Sequence, residues 1–229
     1  MKYDQTLIKG RLIKRYKRFL ADVELESGEV ITAHTANTGA MTGLTAPGSL
    51  VYLSFHDKPS RKLKYSWELI KVGRTLCGIN TALPNALVEE GVTNGTIAEL
   101  SGYGSLRREV RYGERKSRID VLLEDHPTAP RAWVEVKNVT LMDGKLARFP
   151  DAVTTRGRKH LLELRDRVAA GDRGVLVFVV QRSDANAVGV ADAIDPAYGE
   201  TLREAMGAGV EVLAYQAKVT SREVKLVRA

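Results

Sequence analysis

Two acids and a lysine on neighbouring strand patterns are the residues of this chain best suited to chemistry. Asp120 lies in Ser117-Arg118-Ile119-Asp120-Val121-Leu122-Leu123, and Glu135 and Lys137 lie in Trp133-Val134-Glu135-Val136-Lys137-Asn138. Side chains alternate across a strand. Ile119, Val121 and Leu123 are therefore expected on one face with Asp120 on the other, while Glu135 and Lys137 share the face opposite Val134 and Val136. Two carboxylates can hold a hard divalent cation, and an ammonium beside them can position a water. That is a minimal apparatus for cutting a phosphodiester.

If the two strands form a hairpin with Leu123 facing Ala132, a constant index sum puts Asp120 opposite Glu135. Side chains so paired start about 4.5–5.5 Å apart at Cβ, where two carboxylates repel unless a cation lies between them. A solvated strand face would explain Glu-Val-Lys taken alone. The upstream acid and the basic helix that follows make the combination more specific.

That helix is expected from about Ala152 to Ala170, ended by Gly171, with Asp151 as its N-cap. Val153, Leu161, Leu164 and Val168 would form its apolar stripe, with Gly157 on the same side. Arg156, Lys159, His160 and Glu163 recur at helical spacing, which predicts one exposed face whose basic members touch phosphates or assist the metal site. Glu89 and Glu90, on a short helix around Pro84 to Gly91, are expected to face solvent.

The elements before these differ in texture. Leu7 to Leu20, Ala21 to Leu25, Val30 to Thr35, Leu50 to Phe55 and Tyr65 to Val72 read as short strands punctuated by Ser27-Gly28, Thr38-Gly39 and Pro47-Gly48. Five such strands without a long helix suit a small Greek-key barrel such as an OB-fold; an SH3-like barrel would read much the same. His34 to Met41 has Asn37 and Gly39 placed for a tight turn. Residues 1–75 hold 13 of the Lys and Arg against 7 Asp and Glu, so nearly all of the chain's net +7 sits in one third of it. A field polarised in this way suits a polyanionic partner. Lys9 to Phe19 and Arg61 to Trp67 interleave cations with rings, so Arg15, Lys17, Arg18, Lys62 and Lys64 are candidate phosphate contacts. Tyr16, Phe19, Tyr65 and Trp67 are candidate stacking platforms for bases.

After Asn80 the order is helix, three strands (Arg108 to Tyr112, Ser117 to Leu123, Arg131 to Thr140), helix, and the continuously apolar strand Gly174 to Gln181. A helix around Pro196 to Gly207 and strands Val210 to Tyr215 and Glu223 to Val227 follow. This is the pattern of an α/β domain with a mixed sheet. The division expected is a basic barrel over residues 1–78 and an α/β domain over 79–229. A single cysteine, Cys77, excludes an internal disulfide, and the four histidines show no metal-ligand spacing. The longest pure apolar run, Val175 to Val180, is too short to span a bilayer. A cytoplasmic protein without a membrane or disulfide-linked partner is expected; the oligomeric state stays open.

Long blocks of the chain resemble the sugar fermentation stimulation protein A family. They are Arg15 to Val23, His34 to Gly43, Arg61 to Lys64, Ser117 to Asp120, Glu135 to Leu141, Phe149 to His160 and Ile194 to Tyr198. The resemblance implies a DNA-binding protein with an N-terminal OB-like barrel and a C-terminal domain similar to PD-(D/E)xK nucleases. It puts Asp120 at the first acid position, Glu135 at the second and Lys137 at the lysine, with Ile119 where the motif's name has proline. The reading that results is a metal-dependent nuclease acting on single- or double-stranded DNA. Asp120, Glu135 and the Val136 carbonyl would ligate Mg²⁺ or Mn²⁺, and Lys137 would orient the water. Arg156, Lys159 and His160 would join the barrel's five cations as DNA contacts. A DNA-binding regulator of sugar metabolism that keeps the fold without the activity is the alternative, and RNA binding or processing is a third.

Overall fold

The fold is that of a computed structural model that describes residues 1–113 and 117–227. Its first sheet is built from β1 (Ile8–Tyr16), β2 (Leu20–Leu25), β3 (Val30–Thr35), β4 (Leu50–Phe55), β5 (Tyr65–Val72) and β6 (Thr75–Gly78). β1 pairs antiparallel with β2 and β4, β2 with β3, and β4 with β5; β3 then runs parallel to β5. That last pairing closes a five-stranded barrel, the OB-fold, and removes its open edges. The alternation seen in the sequence fills it: Leu12, Ala21, Val23, Val51, Leu53 and Trp67 all point into one core. Trp67 is therefore fully buried and is not a stacking platform. β1 is also shorter than the run Leu7 to Leu20 suggests. Lys17 and Arg18 adopt φ of 47° and 66° and turn the chain into β2.

The third sheet has the order β15-β14-β12-β9-β8-β7. Its strands are β7 (Ser105–Tyr112), β8 (Ser117–Glu124), β9 (Ala132–Val139), β12 (Arg173–Val180), β14 (Glu211–Val219) and β15 (Val224–Val227). β12 lies at its centre, parallel to both β9 and β14. Covered on both faces, it is apolar throughout: Val175, Val177 and Val179 pack toward α1 (Leu83–Thr93), and Leu176, Phe178 and Val180 toward α2 (Thr155–Ala169) and α3 (Pro196–Gly207). Leu7, Tyr52 and Leu69 of the barrel join the cluster on the α1 side, so barrel and sheet share that core.

Three short strands escape a reading by periodicity: β10 (Leu141–Asp143), β11 (Leu146–Phe149) and β13 (Ala187–Val190) form a separate small sheet. β6 escapes it as well. α2 begins later than expected. Thr154, not Asp151, is its N-cap, its hydroxyl accepting from the Gly157 N–H at 3.0 Å. Val153 lies outside the helix and is 69% exposed, so it leaves the apolar stripe. Among the described residues no helix is long and apolar enough to cross a membrane.

Candidate metal and phosphodiester site

The hairpin register is the one expected: Leu123 faces Ala132, Leu122 faces Trp133 and Val121 faces Val134. The pairing stops there. One residue further, the Asp120 carboxylate accepts the Val136 N–H at 2.7 Å in place of a ladder bond. On the other side of β8, Glu109 at φ 54° interrupts the pairing between Arg108↔Val121 and Val110↔Ile119. The alternation of side chains breaks at Asp120. Ile119 packs into the cluster beneath α2, whereas Val121 and Leu123 pack toward α1. The three residues do not share a face, and Asp120 is not simply opposite Glu135. The Asp120 side chain reaches into a cleft.

Asp120 is held at both oxygens, Oδ2 by Val136 N–H and Oδ1 by the Asn85 side-chain amide of α1 at 2.8 Å. Burial, with Glu135 nearby, pushes its carboxyl up to about 6 despite these bonds. Glu135 is only 1% exposed. Its Oε1 accepts from Lys137 Nζ and from His160 Nδ1, while Oε2 is buried without a hydrogen-bond partner. Burial alone would raise this carboxyl, but Lys137 and His160 outweigh it and hold Glu135 below the usual carboxylate range. Arg156 Nε lies 3.3 Å from His160 Nε2. An N–H directed there assigns the ring proton to Nδ1, the atom that donates to Glu135.

His160 is thus no phosphate contact. It is 3% exposed, and Glu163 beside it 1%, so the expected exposed face of α2 is half buried. Of that face, Arg156 alone is both exposed and at the cleft, with Lys159 partly covered. The barrel cations separate similarly. Arg15 gives its guanidinium to the carbonyls of Arg18, Asn37 and Gly39, and Arg18 gives its own to Thr38, so both brace the chain. Lys17 and Lys62 remain exposed, and Lys64 pairs with Asp57 at 2.8 Å. Glu89 and Glu90 pair with Arg108 and the N-terminus, away from the site.

The acids line a cleft of about 370 Å³ with Lys137, Asn138, Arg148, Phe149, Asp151 and Arg156, and with Asn37 to Gly39 of the barrel. Asn85, Arg148 and Asp151 were not legible as site residues, because they lie on segments other than the two strands that carry the acids. Asp151 accepts the Met41 N–H at 3.0 Å, tying the α2 lead-in to the barrel. Among the described residues no set of three His, Cys, Asp or Glu side chains converges on a point that could hold a metal. The donor set is two carboxylates and the cleft-lining Val136. A buried carboxylate oxygen with no partner, in an oxygen-rich cleft beside a second acid, fits a hard divalent cation.

Residues 82–223 match the family described as the sugar fermentation stimulation protein RE domain, and residues 13–79 match the SfsA N-terminal OB domain. The sugar fermentation stimulation protein homolog of Geobacter metallireducens is 57% identical over 226 residues, covering 99% of this chain and 97% of that protein. The homolog of Maricaulis maris is 57% identical over 229 residues, covering 100% and 97%. Among solved structures, Pyrococcus furiosus SfsA in complex with Ca²⁺ superposes with a TM-score of 0.88 at 26% identity, over 99% of this chain and 95% of that one.

Proposed function

The chain belongs to the sugar fermentation stimulation protein family, and from that premise we propose that it is a DNA-binding protein that hydrolyses phosphodiesters with a divalent cation. The observation that carries the reading is Glu135 Oε2, buried and unpartnered in a cleft that also holds Asp120 and Lys137. The Ca²⁺ held by the Pyrococcus furiosus relative supports a divalent ion; Mg²⁺ or Mn²⁺ is the ion proposed for catalysis here.

Asp120 and Glu135, with the Val136 carbonyl, would hold the cation, and when bound it would supply Lewis-acid stabilisation of the phosphate and a more acidic water. The chain's own groups do the rest. His160 and Lys137 fix Glu135 Oε1, which leaves Oε2 directed to the cation. Lys137 Nζ orients the attacking water and offsets charge building on the phosphate. Water oxygen bonds to phosphorus, one bridging P–O bond breaks, the water gives up a proton to solvent and the departing oxygen takes one up. Arg156 at the cleft contacts the phosphate, and the basic barrel surface around Lys17 and Lys62 holds the polymer through salt-sensitive contacts. A cytoplasmic setting belongs to the same proposal.

The test is cleavage of labelled DNA by purified protein in Mn²⁺. Glu135→Ala and Lys137→Ala are expected to lose most of the rate while keeping DNA affinity. Salt-sensitive DNA binding with no cleavage in Mn²⁺ would instead establish the non-catalytic regulator, and tighter binding of RNA than DNA in competition would shift the polymer.

A further inference from the structure

The barrel contributes to the cleft through a wall, residues 36–41, that is pinned from every side. Arg15 of β1 donates to the carbonyls of Asn37 and Gly39 at 2.9 and 3.0 Å, and Arg18 donates to Thr38. Thr81, just before α1, donates to the Ala36 carbonyl at 3.1 Å. Asp151 accepts the Met41 N–H, and Met41 is itself fully buried in the barrel core. Gly39 is closely packed, since a Cβ there would lie 2.9 Å from the Asp151 carboxylate. Segments that swing aside to admit a ligand have few such bonds and little buried apolar contact. This one has the opposite character and behaves as a fixed wall.

The β11 part of the cleft lining is equally fixed. Phe149 packs against Phe178 and Tyr198 at ring-centroid distances of 5.5 and 5.2 Å, and Arg148 is tied to the Val190 carbonyl and Asp143. The acid pair lines the same cleft. A space of about 370 Å³ is near the lower end of pockets that take one compact ligand. A single nucleotide, with its phosphate at Asp120 and Glu135, matches that space better than a base pair with both its backbones.

The geometry points to single-stranded DNA as the substrate, with the wall at residues 37–39 rejecting an intact duplex and exposed Thr38 at its lip. This deepens the nuclease reading and rests on it. An intact duplex can lie on the basic barrel surface, but its scissile phosphate does not reach the acids. Overhangs, flaps and frayed ends do.

Binding is measured by fluorescence anisotropy in Ca²⁺ with a single strand of about 12 nucleotides, within the span of one OB-fold, and with a blunt hairpin duplex. Cleavage of the same oligonucleotides and of a covalently closed plasmid is followed in Mn²⁺. The expected result is cutting confined to single strands and overhangs. Thr38→Trp, at an exposed position outside the acid pair, should weaken single-strand binding about tenfold or more by filling the lip while leaving duplex binding and the Mn²⁺ isotherm unchanged. Nicking of the closed plasmid at the single-strand rate overturns the proposal, as does a Thr38→Trp effect that is absent or equal on both polymers. A Thr38→Trp effect specific to single strands, without cleavage of any DNA, leaves strand selection standing and removes the hydrolytic reading.

Discussion

His160→Leu tests whether the buried imidazole is what aims Glu135. The ring is 3% exposed and donates from Nδ1 to Glu135 Oε1, the oxygen that Lys137 Nζ also contacts. Leucine keeps the bulk and removes the donor. A hydrogen bond to a charged group is worth about 1.5–3 kcal/mol, and at about 1.4 kcal/mol per decade that is roughly 10- to 150-fold in an equilibrium. Loss of a group that orients a metal ligand typically weakens metal affinity by about 10–100-fold, which agrees. Mn²⁺ affinity, read by titration calorimetry on the purified protein, is therefore expected to fall by about one to two decades. His160→Asn presents an amide N–H near the position of Nδ1 and should recover most of it. A cooperatively melting His160→Leu protein whose Mn²⁺ affinity stays within about threefold of the parent would show that the imidazole does not aim Glu135.

Asp120 makes the cation-free protein sensitive to pH. Its carboxyl titrates near 6 in the fold, against 3.8 ordinarily. Well below pH 3.8 it is protonated in both states; as pH rises from there toward 6 the unfolded chain releases the proton first, and stability is lost by up to about 3 kcal/mol. Asp120→Asn should therefore raise the Tm in chelator above pH 6 but not well below pH 3.8, and should abolish stabilisation by Mn²⁺; parallel melting curves across that range would count against this. Lys17→Ala and Lys62→Ala should each flatten the slope of log affinity against log salt by about 0.7–0.9. Arg15→Ala, which unties three carbonyls, should lower stability before it alters that slope. Thr154→Ala should cost about 1 kcal/mol in denaturant unfolding through loss of the α2 cap, whereas Asp151→Ala should leave α2 capped and loosen the barrel wall.

Much of the architecture was legible because strand and helix periodicity are local properties of the backbone. β3, β4 and β5 fall at the residues the alternation marks, and the uninterrupted apolar run of β12 announces a strand covered on both faces. The short strands β10, β11 and β13 were not legible, since three or four residues are too few to show a period. The α2 stripe failed at Val153 for a related reason. The turn preceding a helix obeys no periodicity, and a Thr hydroxyl three residues beyond Asp151 competed for the cap.

The acid pair and its lysine were legible as residue types at a spacing; the hairpin register was one that the connecting loop allowed without fixing it. Their environment was not. On a helix wheel Arg156, Lys159, His160 and Glu163 form a charged face, and a charged face looks the same whether it meets water or a carboxylate on the strand beneath. Only the packing of α2 on β9 turned His160 from a surface cation into a partner of Glu135. Only the tertiary packing put Ile119 in the cluster beneath α2, apart from Val121 and Leu123, with Asp120 at the cleft. Asn85, Asp151 and the Asn37 to Gly39 wall come from segments far apart in the chain, so no spacing links them. By itself, the sequence determined which groups could do chemistry and which strands would carry them. The tertiary structure decided which of those groups are desolvated, which are already paired and how wide a space they face. Those properties arise where separate segments meet, and local periodicity carries no record of that meeting.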